Sequence, residues 1–177
     1  YHPNYKWMGI KCHVTPQKYF KALEKFFIYY EKKTGNKVII AAHPRANEAI
    51  YSDAFKRRKV IFGETAKLIK GSELVFHHQS SALSYVVLFK KKFILMKTHE
   101  MAEERLMKTF TLISNYFNAK IINIDNFREN DLEEEIKKPL DILAYREYVE
   151  EFMRHPSAED KFFWQIYLDH VCSRVQT

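Results

Sequence analysis

The residues able to do chemistry fall into short clusters, each set directly after an apolar run. His43-Pro44-Arg45 follows Val38–Ala42, His77-His78-Gln79-Ser80-Ser81 completes the run from Glu73, and Lys97-Thr98-His99-Glu100 follows Phe93–Met96. A histidine titrates near neutrality and can donate a proton or hold charge. Serine hydroxyls and the unpaired N–H groups that open a helix suit an anion, helped by about half a positive charge at that terminus. Ser81 and Ala82 are small enough to let a phosphate approach the backbone. Arg45 can contact phosphate in bidentate fashion, and Glu64 and Glu100 have the acceptors to hold ribose hydroxyls. The clusters together point to a phosphate. Each also has a plainer reading: Ser80-Ser81 as an N-cap, His43-Pro44 as a structural turn, Arg45 as a surface cation. Of the consecutive His77 and His78 one should enter the core, and His78 is expected to face the site. No HExxH or paired CxxC occurs, so no metal is expected. GxGxxG and GxxxxGK[ST] are both missing, which disfavours dinucleotide and P-loop chemistry.

These clusters need strands and helices to position them. Thr15-Pro16 reads as an N-cap with proline in the first turn, and Tyr19, Leu23, Phe26, Phe27 and Tyr30 mark one helical face ending at Gly35. Val38–Ala42 is continuously apolar, as in strands buried on both faces. A short helix, the strand Val60–Phe62 and a helix over Glu64–Lys70 follow. Glu73–His77 is the next strand, Ser80–Phe89 a helix, Phe93–Met96 a strand, Ala102–Asn118 a long helix and Lys120–Ile124 a last strand. Trp7–Val14 is either a strand or a linker. Sustained alternation with short connections predicts a doubly wound α/β sheet. Leu140–Met153 and Asp160–Val175 are helical without strand signals, and His155-Pro156 falls in the loop between them. The expected organisation is residues 1–14 as linker or first strand, 15–138 as an α/β ligand-binding domain, and 139–177 as C-terminal helices packing on it.

Composition bounds the function classes. In 177 residues, 46% are hydrophobic and only 4 glycines and 5 prolines interrupt them, which supports one sizeable core and excludes disorder. The 29 Lys+Arg against 22 Asp+Glu give a net charge of +7, implying an anionic partner. Nucleic acid is not expected, because no continuous basic stripe with interleaved aromatics exists. Lys56-Arg57-Arg58-Lys59 and Lys90-Lys91-Lys92 read as solvated helix ends. Cys12 and Cys172, far apart, suggest a reduced, intracellular protein, and no run of 18 apolar residues is present. The start at Tyr1 rather than Met reads as a fragment.

The stretch from Val38 to Met96, with His43-Pro44 at one strand end and Ser80-Ser81 opening a later helix, resembles the C-terminal half of GT-B glycosyltransferases. It is most similar to bacterial enzymes of capsule and lipopolysaccharide synthesis, including sialyltransferases and polysialyltransferases. The resemblance implies a Rossmann-like parallel sheet with flanking helices and a C-terminal helical extension, one half of a GT-B fold. It implies a donor-binding domain for a nucleotide-sugar, a CMP-sugar being favoured, used as substrate with no cofactor. His43 would act as acid or phosphate ligand and Ser80 and Ser81 as phosphate ligands, with Pro44, Arg45, Glu64, His78 and Glu100 around them. The glycan acceptor and the base would belong to an N-terminal domain, Tyr1-His2-Pro3 lying in the linker to it, so this fragment alone should be inactive. A cytoplasmic location, with peripheral association at the inner face of the membrane, follows as an expectation. The alternatives are a nucleotide-sugar epimerase-like domain and a non-enzymatic basic domain binding anionic surfaces.

Overall fold

Proline fixes the first turn of helix α1 (Pro16–Thr34), and Gly35, at φ 76°, ends it in the left-handed conformation that glycine adopts without strain. Its apolar residues recur at helical spacing and bury Ala22, Leu23, Phe26, Phe27 and Tyr30 on one face. Burying side chains of this size contributes about 1.5–3 kcal/mol each. The computed structural model describes residues 14–159 and 161–175. The expectations for Tyr1-His2-Pro3, for Cys12 and, apart from Val14, for Trp7–Val14 therefore lie outside the described residues.

The remaining elements alternate: β1 (Ile40–Ala42), α2 (Glu48–Ala54), β2 (Val60–Phe62), α3 (Thr65–Gly71), β3 (Leu74–His77), α4 (Leu83–Leu88), β4 (Lys92–Lys97), α5 (Glu104–Phe117), β5 (Ile121–Asn123), α6 (Glu129–Lys137), α7 (Ile142–Phe152) and α8 (Phe163–Val175). The fold is mixed α/β with small parallel sheets. Among the described residues the strands fall in two sheets rather than the expected single one: β1 pairs β2 in parallel, and β3, β4 and β5 form a parallel three-stranded sheet in that order. β1 and β2 have three residues each, and β1 and β3 share no ladder.

Side chains of β4 alternate between two cores, as period-2 geometry requires. Ile94 and Met96 join α1, with Val38, Phe55, Ile122, Ile124 and Leu132. Phe93 and Leu95 join Ile69 of α3, Leu83, Val86 and Val87 of α4, Phe110 and Phe117 of α5, and Ala144 and Tyr145 of α7. Helices therefore cover both faces of the three-stranded sheet. Helix α7 docks through Tyr145, whose hydroxyl donates to the Lys91 carbonyl at 2.7 Å. Helix α8 differs: Trp164, Tyr167 and Leu168 are exposed, as is Cys172. Among the described residues no helix is long and apolar enough to cross a membrane.

One basic cluster departs from the solvated helix end expected of it. The Arg58 side chain is only 3% exposed and lies over the Phe27 ring, 5.3 Å from its centroid. Its guanidinium donates to both Glu31 oxygens, at 3.2 and 2.6 Å, and to Glu24. Glu31 also accepts the Val38 N–H at 2.9 Å, so one carboxylate ties the start of β1 and the α2–β2 loop to α1. Burial alone would raise the Glu31 pKa, but the Arg58 and Val38 hydrogen bonds outweigh it and hold the carboxyl below its usual range. Lys92 is also engaged, donating to the Ile136 carbonyl at 2.8 Å.

Arg58→Met keeps the apolar stem and removes the charge. Breaking a fully buried pair costs about 3–5 kcal/mol. Because Glu24 and Glu31 retain water contact, the expected loss is about 2 kcal/mol in urea unfolding. Glu31's depressed pKa adds stability that is complete above the ordinary carboxylate range and lost as pH falls below it. The variant should lose that part of the acid sensitivity.

Candidate functional site

In parallel sheets every strand delivers its carboxyl end to the same edge, where ligands of open α/β folds bind. The amino ends of β1 and β3 are joined by Asn36, whose amide donates to Glu73 at 3.0 Å, so the two sheets start from one edge and end on the other. His43-Pro44-Arg45 leaves β1 at that other edge, and His78-Gln79-Ser80-Ser81 leaves β3. Between these strands runs an apolar cleft of about 740 Å³, walled by β1, β3 and α1, with His78 and Met96 among its lining residues.

The turn after β1 is closed by the Ala46 N–H on the His43 carbonyl at 2.8 Å. The Arg45 N–H donates to His43 Nδ1 at 3.0 Å. An imidazole nitrogen that accepts carries no proton, so neutral His43 is the tautomer with its proton on Nε2. His43 is half-buried, Pro44 and Arg45 are exposed, and Asn47 caps α2 by accepting the Ile50 N–H at 3.2 Å. The dipeptide is thus a structural turn that also fixes a histidine tautomer.

The Ser-Ser segment corrects the expected helix boundary. Helix α4 begins at Leu83, not Ser80, and has six residues. Ser80 and Ser81 form a preceding turn whose carbonyls accept the Leu83 and Ser84 N–H groups at 3.1 and 3.2 Å. Ser80 Oγ accepts the Ala82 N–H at 3.1 Å. Both serines are exposed. So short a helix offers little macrodipole, and an anion here would depend on hydroxyls and turn amides.

His78 lines the cleft, and its ring is held by the fold itself. Its Nδ1 donates to the Met96 carbonyl at 2.7 Å, so its Nε2 accepts from the Tyr19 hydroxyl at 2.9 Å. Both nitrogens are engaged within the fold, and burial lowers its pKa to about 4. His77 is buried edge-on against Phe93, with its pKa lowered to about 4 by burial and by His78. Its Nε2 and the buried Thr98 hydroxyl have no hydrogen-bond partner among the described residues. Two unsatisfied polar groups therefore lie at the carboxyl edge, where such groups call for a ligand or water.

The two expected carboxylates are used otherwise. Glu100 fastens the start of α1, accepting the Thr15 N–H at 2.6 Å and hydroxyl at 2.8 Å, with Lys18 at 3.4 Å. These hydrogen bonds, Thr15's first, hold its pKa low. Glu64 follows β2 and pairs at 2.9 Å with Lys67, which lines the cleft. The geometry gives contacts to Gln79, Lys97 and His99, which the clusters named without a role, and adds Asp125. Gln79 donates to the Leu106 carbonyl, fixing the loop after β3 on α5. Lys97, at the end of β4, brings its ammonium within 3.6 Å of the Met107 sulfur. Asp125 accepts the His99 N–H at 2.6 Å, binding the loop after β4 to that after β5. Gln79, Lys97 and His99 carried a signal, their position after a strand; Asp125 carried none.

A second cavity of about 350 Å³, lined by Lys92, Asn118, Lys138 and Tyr145, lies at the amino end of β4 and holds none of the candidate residues. Among the described residues no three His, Cys, Asp or Glu side chains are grouped to hold a metal. No protein-family model, curated protein or solved structure matches the chain.

His77 and His78 stay neutral in the fold to about pH 4 but protonate near pH 6.5 when unfolded. The unfolded chain binds more protons in that window, so stability falls as pH drops from about 6.5 toward 4. Urea midpoints should decline across it in the parent and less steeply in His77→Gln. Equal slopes would contradict the buried, neutral assignment.

Proposed function

We propose that this chain is the nucleotide-sugar donor-binding domain of a bacterial inverting glycosyltransferase, one half of a GT-B fold, that takes a CMP-activated sugar in capsule or lipopolysaccharide synthesis. One observation carries the proposal. His43-Pro44 and Ser80-Ser81 leave the carboxyl ends of β1 and β3, the two strands that border the cleft. The net charge of +7 favours an anionic ligand.

In this proposal the Ser80 and Ser81 hydroxyls and the turn amides hold the donor phosphate. His43 presents its Nε2 proton to a phosphate oxygen, with Arg45 as an adjacent cation and Pro44 setting the turn. Lys97 supplies a second cation from β4. As the acceptor oxygen attacks the anomeric carbon, the bond from sugar to phosphate breaks and charge gathers on the departing CMP. Preorganised donors stabilise charge that develops there. The base and the acceptor site would come from an N-terminal domain, and the assembly would work in the cytoplasm, peripherally at the inner face of the membrane. His78, Glu64 and Glu100 have no ligand contact in this scheme, because the fold already employs them.

Calorimetric titration with CMP, UDP and GDP tests the proposal. CMP should bind at millimolar concentration or below. His43→Ala and Ser81→Ala should each weaken it roughly tenfold or more, as loss of a hydrogen bond to a charged group does. No binding of any nucleotide, with both variants silent, would overturn it. A preference for UDP would favour the epimerase-like alternative. Steeply salt-dependent binding to polyanions without nucleotide competition would favour a basic docking surface.

A further inference from the structure

Helix α1 carries five lysines and two glutamates, and the fold sorts them by sign. Glu24 and Glu31 both turn to the buried Arg58. What faces outward is cationic. Lys18, Lys21, Lys25 and Lys32 are exposed and recur, with Ile28, at alternating steps of three and four, the spacing of one helix face. Lys18 lies 3.4 Å from Glu100 yet stays 74% exposed, and Ile28, in the middle of the stripe, is 45% exposed. At 1.5 Å per residue the stripe runs for about 20 Å. The Arg58 clamp also seats the α2–β2 loop beside this face, where Arg57 and Lys59 are exposed. On the other flank Glu129 and Glu133 of α6 are engaged by Tyr29 and Lys33.

The kind of cation says what fits. A lysine ammonium is a point charge on a flexible stem, without the planar fork by which arginine reads single phosphates in bidentate fashion. A line of such charges on a convex helix face, with an apolar side chain between them, matches a fluid layer of anionic headgroups over hydrocarbon. The ammoniums reach the headgroups while Ile28 and the lysine stems enter the interface. Single-stranded nucleic acid would need exposed rings to stack on, and none of the six aromatic residues of α1 is exposed. We propose that this face of α1, with Arg57 and Lys59 beside it, docks the domain on an anionic phospholipid surface. The inference rests on the peripheral membrane association proposed above, gives it a surface, and needs no nucleotide. Helix α1 starts at the carboxyl edge, where Glu100 holds Thr15, and runs to the amino edge, where β1 begins. A helix lying flat on the membrane therefore turns the carboxyl edge sideways along it. The turns bearing His43 and Ser80-Ser81 then face across the surface, where an acceptor carried by the membrane would approach.

Flotation of the full chain with vesicles tests this. Vesicles of phosphatidylcholine and phosphatidylglycerol in equal parts should carry the protein, phosphatidylcholine alone should not, and binding should weaken as salt rises. Each lysine near such a surface strengthens binding roughly fivefold, so combining Lys21→Gln, Lys25→Gln and Lys32→Gln should weaken it roughly a hundredfold. Combining Lys70→Gln, Lys90→Gln and Lys108→Gln removes the same charge from exposed positions elsewhere and should have little effect. Ile28→Ser should weaken binding severalfold with no change of charge. CMP affinity should be the same in every variant, so failure of this inference and failure of the nucleotide reading are told apart. No binding to the anionic vesicles would overturn the proposal. Equal losses in the two triple variants would overturn it by showing net charge alone at work. A silent Ile28→Ser, with equally tight binding to polyuridylate, would overturn it in favour of a nucleic-acid surface.

Discussion

The aromatic face of α1 is the constraint on which everything else depends. Phe26 packs edge-on against Phe76 of β3 at 5.2 Å and against Phe127 at 5.0 Å. Phe27 meets Phe76 at 5.5 Å and Phe55 at 6.4 Å, and Tyr30 meets Phe76 at 4.8 Å. Such pairs add about 0.5–1.5 kcal/mol each beyond their burial. Ile40 of β1, Val60 of β2 and Phe76 of β3 all pack against the core that this face builds, so one helix face spans two sheets that share no ladder. Without α1 the two-stranded β1–β2 unit would have little hydrophobic support, and isolated pairs of strands are marginal in water.

Polar contacts align what the aromatic face joins. Arg58 and Glu31 fix the start of β1 and the approach to β2, Asn36 and Glu73 align β1 with β3, and Glu100 holds α1 at the opposite edge. Together they bring the β1 and β3 carboxyl ends to one side of the domain. The His78 bridge between Tyr19 and the Met96 carbonyl extends the same logic into the site, linking α1, the end of β3 and β4. A half-buried histidine with both ring nitrogens hydrogen-bonded rigidifies the edge.

Much of the fold was legible in the sequence because its signals are local. Apolar runs marked all five strands, Gly35 closed α1, and Asn118, at φ 48°, closed α5. The strand-end positions of His43, Ser80 and Lys97 followed from the same runs. What the sequence hid is long-range. Nothing near Arg58 announces Glu24 and Glu31, and nothing near Glu100 announces Thr15, 85 residues away. The direction of His78 depends on Tyr19, 59 residues distant. The start of α4 slipped from Ser80 to Leu83 because serine side chains compete for backbone N–H groups, as Ser80 does with Ala82. Strand pairing is long-range as well, so the break between β1 and β3 left no mark in the pattern of apolar residues.

The central claim is that the carboxyl edge flanking the cleft receives a nucleotide phosphate. Backbone amide NMR during titration with CMP tests it most directly, because it locates the ligand without requiring turnover. The account predicts that amides of Ala42–Ala46 and of His78–Ala82 shift together and saturate at one nucleotide concentration, while Lys92, Phe93 and Lys138 at the opposite edge stay unperturbed. Shifts confined to that opposite edge, or no shifts at millimolar CMP, would contradict it.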